Sequence, residues 1–146
     1  MKELEQFDAL FEKHPNIAIL NINNCCDDIK NKLQQIVDDI GGSFTNKELE
    51  DIDEKRFRLK AREFEYAVVC DTLQNLENQE RFMDQIYHCL ENSGQVIVIS
   101  KKENMDISQL MEMLEKYDFR AANSIDIFDK YNLVMGKKMH MWGNGL

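Results

Sequence analysis

The sequence predicts a three-layer α/β sandwich: a mostly parallel sheet with helices on both faces, ending in an antiparallel hairpin. Three observations carry that prediction. The apolar runs at 17–22, 66–70 and 95–100 are nearly continuous, the pattern of strands covered on both faces. Each is followed by apolar residues at helical spacing, and alternating strands and helices imply the crossovers of a parallel sheet. The stretch 120–140 instead reads as two strands separated by a tight turn at Asp129-Lys130, a hairpin rather than another crossover. At 146 residues, 43% hydrophobic and 31% charged, the chain is expected to form one α/β domain over residues 1–146.

The elements follow in order. Leu4, Phe7, Leu10 and Phe11 form a helical stripe within 2–13, ended by His14-Pro15 because proline disfavours helix in the residue before it. Ile17 to Ile22 is the first strand, and Asn23-Asn24 is a turn signal. Asp27 and Asp28 suit a helix N-terminus. Ile29, Leu33, Ile36, Val37 and Ile40 give that helix its apolar face, and Gly41-Gly42 is its stop. Ser43-Phe44-Thr45 is the next candidate strand. Residues 56–61, RFRLKA, alternate basic and apolar, which favours a strand. Helix is the alternative, since Thr45-Asn46-Lys47-Glu48 reads as a capping box. YAVVC (66–70) is a buried strand. Leu76, Phe82, Ile86, Tyr87 and Leu90 mark a helix ended by Ser93-Gly94, and QVIVIS (95–100) is a further strand. Ile107, Leu110, Met111 and Leu114 mark the last helix, starting near Asp106; strands at 120–128 and 131–140 complete the chain.

Charge narrows the function classes. A net charge of −9 is poorly suited to neutralising phosphates, so neither nucleic acid nor an anionic membrane is expected as a partner. No apolar run is long enough to span a membrane, and the first twenty residues lack the apolar core of a signal peptide. A cytoplasmic location is therefore expected, with Cys25, Cys26, Cys70 and Cys89 as reduced thiols. No C-x-x-C occurs and His14, His88 and His140 are scattered, so no metal site is expected.

YAVVCDTLQNL (66–76), HCLENSGQVIVIS (88–100) and KYDFRAANSIDIFDKYNLVMGKKMH (116–140), taken with the element order, resemble the fourth strand, fifth strand and terminal hairpin of the class I S-adenosylmethionine-dependent methyltransferases. The likeness covers about half the chain, residues 66–140. It implies a Rossmann-like sheet of the methyltransferase type with S-adenosylmethionine as cofactor. By position it places Asn21, Asn23, Asn24, Cys25, Asp71 and Thr72 at the cofactor, with Asp71 also the catalytic candidate near the reacting methyl. The sequence departs from the family in two places. The family's first loop is glycine-rich because glycine has no Cβ and accepts positive φ; here Asn21, Ile22, Asn23, Asn24 and Cys25 put side chains where the cofactor would lie. The family also holds the ribose hydroxyls with an acidic residue after its second strand, for which Glu48, Glu50 and Asp51 are candidates.

The middle departs further. A third strand at 56–61 would stand three positions from 66–70, roughly 14 Å sideways at ordinary strand spacing. Residues 62–65 reach roughly 14 Å fully extended and would also have to return down the sheet. A normal crossover does not fit. These departures favour a non-catalytic, methyltransferase-fold binding or assembly module, with an unidentified protein or small molecule as partner. The alternative is an S-adenosylmethionine-dependent methyltransferase acting on a small molecule with an atypical cofactor loop.

The same residues have plainer readings. Asn23 to Cys26 suit a helix-capping turn with cysteines packed as small apolar residues, or a meeting of Cys25 or Cys26 at a helix N-terminus with Cys70 opposite. Asp71 suits a turn cap. Arg56, Arg58, Lys60 and Arg62 suit an edge strand protected by charge, or an anion patch. Met105, Met111, Met113, Met139 and Met141 suit packing.

Overall fold

The continuous apolar runs become the centre of a six-stranded sheet. The computed structural model, which describes residues 2–23, 26–52 and 56–139, runs α1 (Lys2–Asp8), β1 (Ala18–Asn23), α2 (Asp27–Ile40), β2 (Ser43–Glu48), β3 (Phe64–Cys70), α3 (Gln79–Cys89), β4 (Leu90–Lys101), α4 (Ile107–Lys116), β5 (Arg120–Ser124) and β6 (Tyr131–Lys137). The sheet order is β2-β1-β3-β4-β6-β5. β1 pairs in parallel with β2 and β3, and β3 with β4; β6 is antiparallel to both β4 and β5. The mostly parallel sheet with a C-terminal hairpin is therefore present. Among the described residues no helix is long and apolar enough to cross a membrane.

Side chains alternate between the two faces. Leu20, Ile22, Ala67, Val69, Val96 and Val98 pack with α3 and α4. Ile19, Tyr66, Val68, Ile97 and Ile99 pack with α1 and α2. Each fully buried aliphatic side chain contributes about 1.5–3 kcal/mol, so the central strands dominate the core. The local signals are equally physical. Gly41 takes φ 79° and donates its N–H to the Val37 carbonyl, ending α2. A Cβ on Gly42 would meet the Ile17 carbonyl oxygen at 2.5 Å, so glycine is what lets β2 start beside β1. Asp106 caps α4 in a reciprocal box with Gln109, at 2.8 and 3.0 Å.

Five expectations are corrected. α1 stops at Asp8, and Phe11 is buried from a turn rather than a helix, its ring 4.7 Å from Tyr66. A stripe reports which side chains are covered, and a turn can deliver the last of them. Thr45 to Glu48 belong to β2, paired with β1 from Ala18↔Ser43 to Asn23↔Glu48, and start no α-helix; a single 3-10 turn, Leu49–Asp51, follows.

Residues 56–61 are neither strand nor helix. Phe57 still points inward, stacked on Phe82 at 5.3 Å, while Arg56, Arg58, Lys60 and Arg62 are exposed. The backbone is served by α3: Arg81 Nη2 donates to the Phe57 carbonyl at 3.0 Å, and the Leu59 N–H donates to Gln85 Oε1 at 2.9 Å. The basic residues therefore protect no strand edge.

Ser93-Gly94 does not end α3, which passes directly into β4 at Leu90; Ser93, at φ 69°, sits inside that strand. The hairpin is joined by residues 125–130 rather than a two-residue turn, because Ile127 and Phe128 in that loop are buried against the α1 face. Met105, Met111 and Met113 pack on the α3–α4 side, whereas Met139 stands 43% exposed. His140, Met141 and Trp142 lie outside the described residues.

Candidate functional site

β1 leads through α2 to β2 on one side of it, and β3 leads through α3 to β4 on the other. The carboxyl ends of these two neighbours form a topological switch point, where open α/β sheets take ligands. Asn21, Asn23, Cys70, Asp71 and Thr72 fall at or beside it; Asn24 and Cys25 lie outside the described residues.

Asn23 closes β1. Its Oδ1 accepts the Cys26 N–H at 2.7 Å and its Nδ2 donates to Glu48 Oε2 at 3.1 Å. Glu48 ends β2 opposite Asn23, and its Oε1 accepts from Asn46 at 3.2 Å and Lys30 at 3.4 Å. Asn21 donates to Asn46 Oδ1 at 2.8 Å, while its own buried Oδ1 has no hydrogen-bond partner. Of the three acidic candidates, Glu48 is thus the one that ends β2 beside Asn23. Only the register singles it out, since β2 runs as far as β1 does.

Cys26 is the N-cap of α2 but makes no side-chain capping bond. It is joined to Cys70 of β3 by a disulfide, with the Cα atoms 6.5 Å apart and a sequence separation of 44. This corrects the expectation of four reduced thiols. Asn23 and Cys70 are paired across β1 and β3, and Cys26 packs with Cys70 in the cluster on the α2 face. Their Cα separation lies within the span a disulfide bridges. Cys89, on the opposite face, is free and buried; burial pushes its thiol up to about 12 against the opposing pull of Lys138.

Asp71 belongs to a different network. It holds φ 52°, an uncommon conformation for a residue with a side chain. Its N–H donates to the Ile99 carbonyl at 2.7 Å. Its carboxylate accepts from Gln74 at 2.8 Å and Asn104 at 3.1 Å, and lies 3.8 Å from Lys101 Nζ. Asp71 therefore ties the end of β3 to the end of β4. Thr72 Oγ1 donates back to the Cys70 carbonyl at 2.9 Å. The structure brings Asn21 and Asn23 together with Glu48 and Cys26; Thr72 Oγ1 lies 3.5 Å from the Ile22 carbonyl between the two asparagines, while the Asp71 carboxylate faces Gln74, Lys101 and Asn104. All four described candidates are buried: Asn21 is 0%, Asn23 1%, Thr72 1% and Asp71 3% exposed.

Open space lies next door. A cavity of about 540 Å³ sits between α1, the start of α2 and the loop entering β6. Cys26, Asp27 and Asp28 line one side, and Phe128 and Tyr131 the other. Glu3 is held at the cavity by the Asp129 N–H, which donates to its Oε2 at 2.8 Å. Periodicity gives no sign of this cavity; the aromatic pair Phe128 and Tyr131 beside the hairpin turn was its only trace. Among the described residues no group of three or more His, Cys, Asp or Glu side chains is placed to hold a metal.

The architecture has close counterparts among solved structures. An S-adenosylmethionine-dependent methyltransferase from Aquifex aeolicus superimposes with a TM-score of 0.76 at 12% identity, over 93% of this chain and 89% of that one. The fold is that of the class I methyltransferases. Phosphoethanolamine N-methyltransferase 2 from Haemonchus contortus, in complex with phosphomonomethylethanolamine and S-adenosylhomocysteine, gives a TM-score of 0.70 at 12% identity, over 94% of this chain and 53% of that one. A chain of the Haloferax volcanii complex containing the Trm112 methyltransferase activator gives 0.67 at 8% identity, over 94% and 90%. No family model matches the chain, and no curated protein matches it in sequence.

Tested against S-adenosylmethionine, the methyltransferase fold here is a poor fit in its disulfide form. The described polar candidates Asn21, Asn23, Asp71 and Thr72 are buried and hydrogen-bonded to neighbouring groups, and a covalent bridge joins the start of α2 to the end of β3.

Proposed function

We propose that this methyltransferase-fold chain is a binding or assembly module rather than a methyl-transfer enzyme, its partner a protein or a small molecule. One observation carries the reading: the Cys26–Cys70 disulfide fastens the start of α2 to the end of β3 on the α2 face of the sheet. Methyl transfer requires donor and acceptor held in line within a near-attack distance, and the described polar side chains at these strand ends are buried and already hydrogen-bonded. A chain of similar fold comes from a complex between a methyltransferase activator and a second protein, which supports the binding of a protein partner. The test is a thermal melt of the oxidised protein with millimolar S-adenosylhomocysteine. No shift is expected. A ligand at 100 times its dissociation constant would stabilise the fold by about 2.7 kcal/mol, and a saturable shift of that order overturns the reading.

A second reading, a small-molecule methyltransferase with an atypical cofactor loop, is favoured by Glu48. Its place at the end of β2 suits a ribose contact, and S-adenosylmethionine binding is a property of proteins with this fold. In that reading Asp71 is the polar contact nearest the acceptor.

A further inference from the structure

We propose that the basic strap at residues 56–62 is a docking surface for an extended acidic segment of a partner protein. The inference rests on the binding reading above and adds where a protein partner sits and what it carries.

The strap is laid down by α3. The Phe57 ring stacks on Phe82 at 5.3 Å, and the Phe57 carbonyl accepts from Arg81 at 3.0 Å. The Leu59 N–H donates to Gln85 Oε1 at 2.9 Å, the Arg62 N–H to the His88 carbonyl at 3.1 Å and the Glu63 N–H to the Cys89 carbonyl at 2.8 Å. Residues 57–63 therefore run alongside α3 from its first turn to its last. From 56 to 60 exposure alternates: Arg56, Arg58 and Lys60 face solvent, Phe57 is buried and Leu59 is half-buried. A period of two is that of extended chain.

The chain carries 27 acidic side chains against 18 basic ones, and Lys13, Lys30, Lys32 and Lys101 each meet a carboxylate. Arg58, Lys60 and Arg62 form no ion pair among the described residues. Lys138 prolongs the surface beyond Arg62. Burial first, and then the Arg62 charge, lower its ammonium pKa, and its Nζ stands 4.9 Å from the centre of the Tyr87 ring. Glu63 follows the strap, and Glu80 and Asp84 flank Arg81 and Gln85 on α3. These carboxylates confine the positive surface to the strap itself. Asp53 and Glu54 lie outside the described residues.

A narrow line of cations selects a linear anion. Alternate residues of extended chain stand about 6.6 Å apart, so Arg58 and Lys60 match carboxylates at alternate positions of an extended partner segment. The screening length at physiological ionic strength is about 8 Å. A segment lying on the strap therefore responds to its cations more than to the net charge of −9. Two other polyanions fit less well. Single-stranded nucleic acid is held by stacking on aromatic faces, but the Phe57 ring is buried against Phe82 and Tyr87 carries Lys138 over its face. An anionic membrane takes up apolar side chains, whereas Phe57 and Leu59 pack into the core.

The test uses the full chain and fluorescence anisotropy. The probe is a fluorescein-labelled peptide of repeated Glu-Ser, compared with a Gln-Ser repeat of equal length and an oligothymidylate of equal charge. The Glu-Ser peptide should bind saturably at about 0.05 M salt and be released at about 0.5 M, and the Gln-Ser peptide should not bind. Arg58→Gln with Lys60→Gln should weaken binding by about five- to tenfold. Lys2→Gln with Lys116→Gln removes as much charge from exposed sites elsewhere and should leave the affinity within about twofold. Both double variants are first matched to the parent by their urea midpoints. No saturable binding of the Glu-Ser peptide, tighter binding of the oligothymidylate, or an equal loss in the two double variants overturns the docking surface. A saturable S-adenosylhomocysteine shift in the thermal melt, with peptide binding intact, overturns the non-catalytic reading and leaves the surface standing. The reverse pair of results overturns the surface alone.

Discussion

Two neighbouring regions at the same end of the sheet have opposite characters. At the ends of β1 and β3 the described polar groups are buried and hydrogen-bonded, and a disulfide joins Cys26 to Cys70 on the α2 face. The cavity between α1, α2 and the loop into β6 is open, about 540 Å³, with exposed Asp27, Asp28, Asp129 and Lys130 at its walls. Cys26 belongs to both. The difference shows that two places at one end of the same sheet can differ in access: buried, hydrogen-bonded polar groups at the strand ends, and an open cavity beside them.

The comparison can be broken most forcefully at the disulfide. Replacing Cys26 and Cys70 together by Ser removes a constraint across a sequence separation of 44, worth about 4 kcal/mol in the chain-entropy account. Urea unfolding should show a loss of that order. A loss under about 1 kcal/mol would mean that the bridge contributes little to the fold.

Asn23→Ala is the next largest. It leaves the Cys26 N–H without its acceptor and Glu48 without one of its donors, a cost of about 1–3 kcal/mol for buried groups. The same chemistry in the open region should cost far less: Asp28→Ala, at an exposed cavity wall, should change stability by under about 0.5 kcal/mol. If the two variants unfold at the same urea concentration, the contrast between a buried, bonded region and an open one fails.

Cys89 sharpens the comparison from the other face of the sheet. Its thiol is raised from 9.0 to about 12, first by burial. A raised folded value means the stabilising contribution is complete below about pH 9 and is lost as the pH climbs toward about 12. Stability should therefore fall above pH 9, and Cys89→Ala should flatten that decline. An unchanged alkaline limb in the variant would assign the decline elsewhere.

Much of the fold was legible because it depends on local signals. Continuous apolar runs gave β1, β3 and β4, and Gly41-Gly42 and Asp106 gave helix ends that the backbone confirms. What was not legible depends on distant partners. The alternation at 56–61 reported an extended chain with one covered face, but the groups that satisfy its backbone, Arg81 and Gln85, lie on α3. Glu48 could not be separated from Glu50 and Asp51 until the pairing of β1 with β2 was known. The approach of Cys26 to Cys70 was visible as a convergence of thiols, but a bond between them follows only from the register of Asn23 with Cys70. Asp71 looked like a cofactor residue from its place after β3; its ties to Lys101 and Asn104 come from the end of β4 and the turn that follows it.

The bridge itself is tested most directly by peptide mapping without reduction. The protein is alkylated in denaturant, digested and sequenced by mass spectrometry. A covalently linked pair of peptides carrying Cys26 and Cys70, with Cys89 alkylated, is the predicted result. Alkylation of Cys26 and Cys70 on separate peptides in protein purified under air would contradict it, and would leave α2 and β3 without a covalent tie.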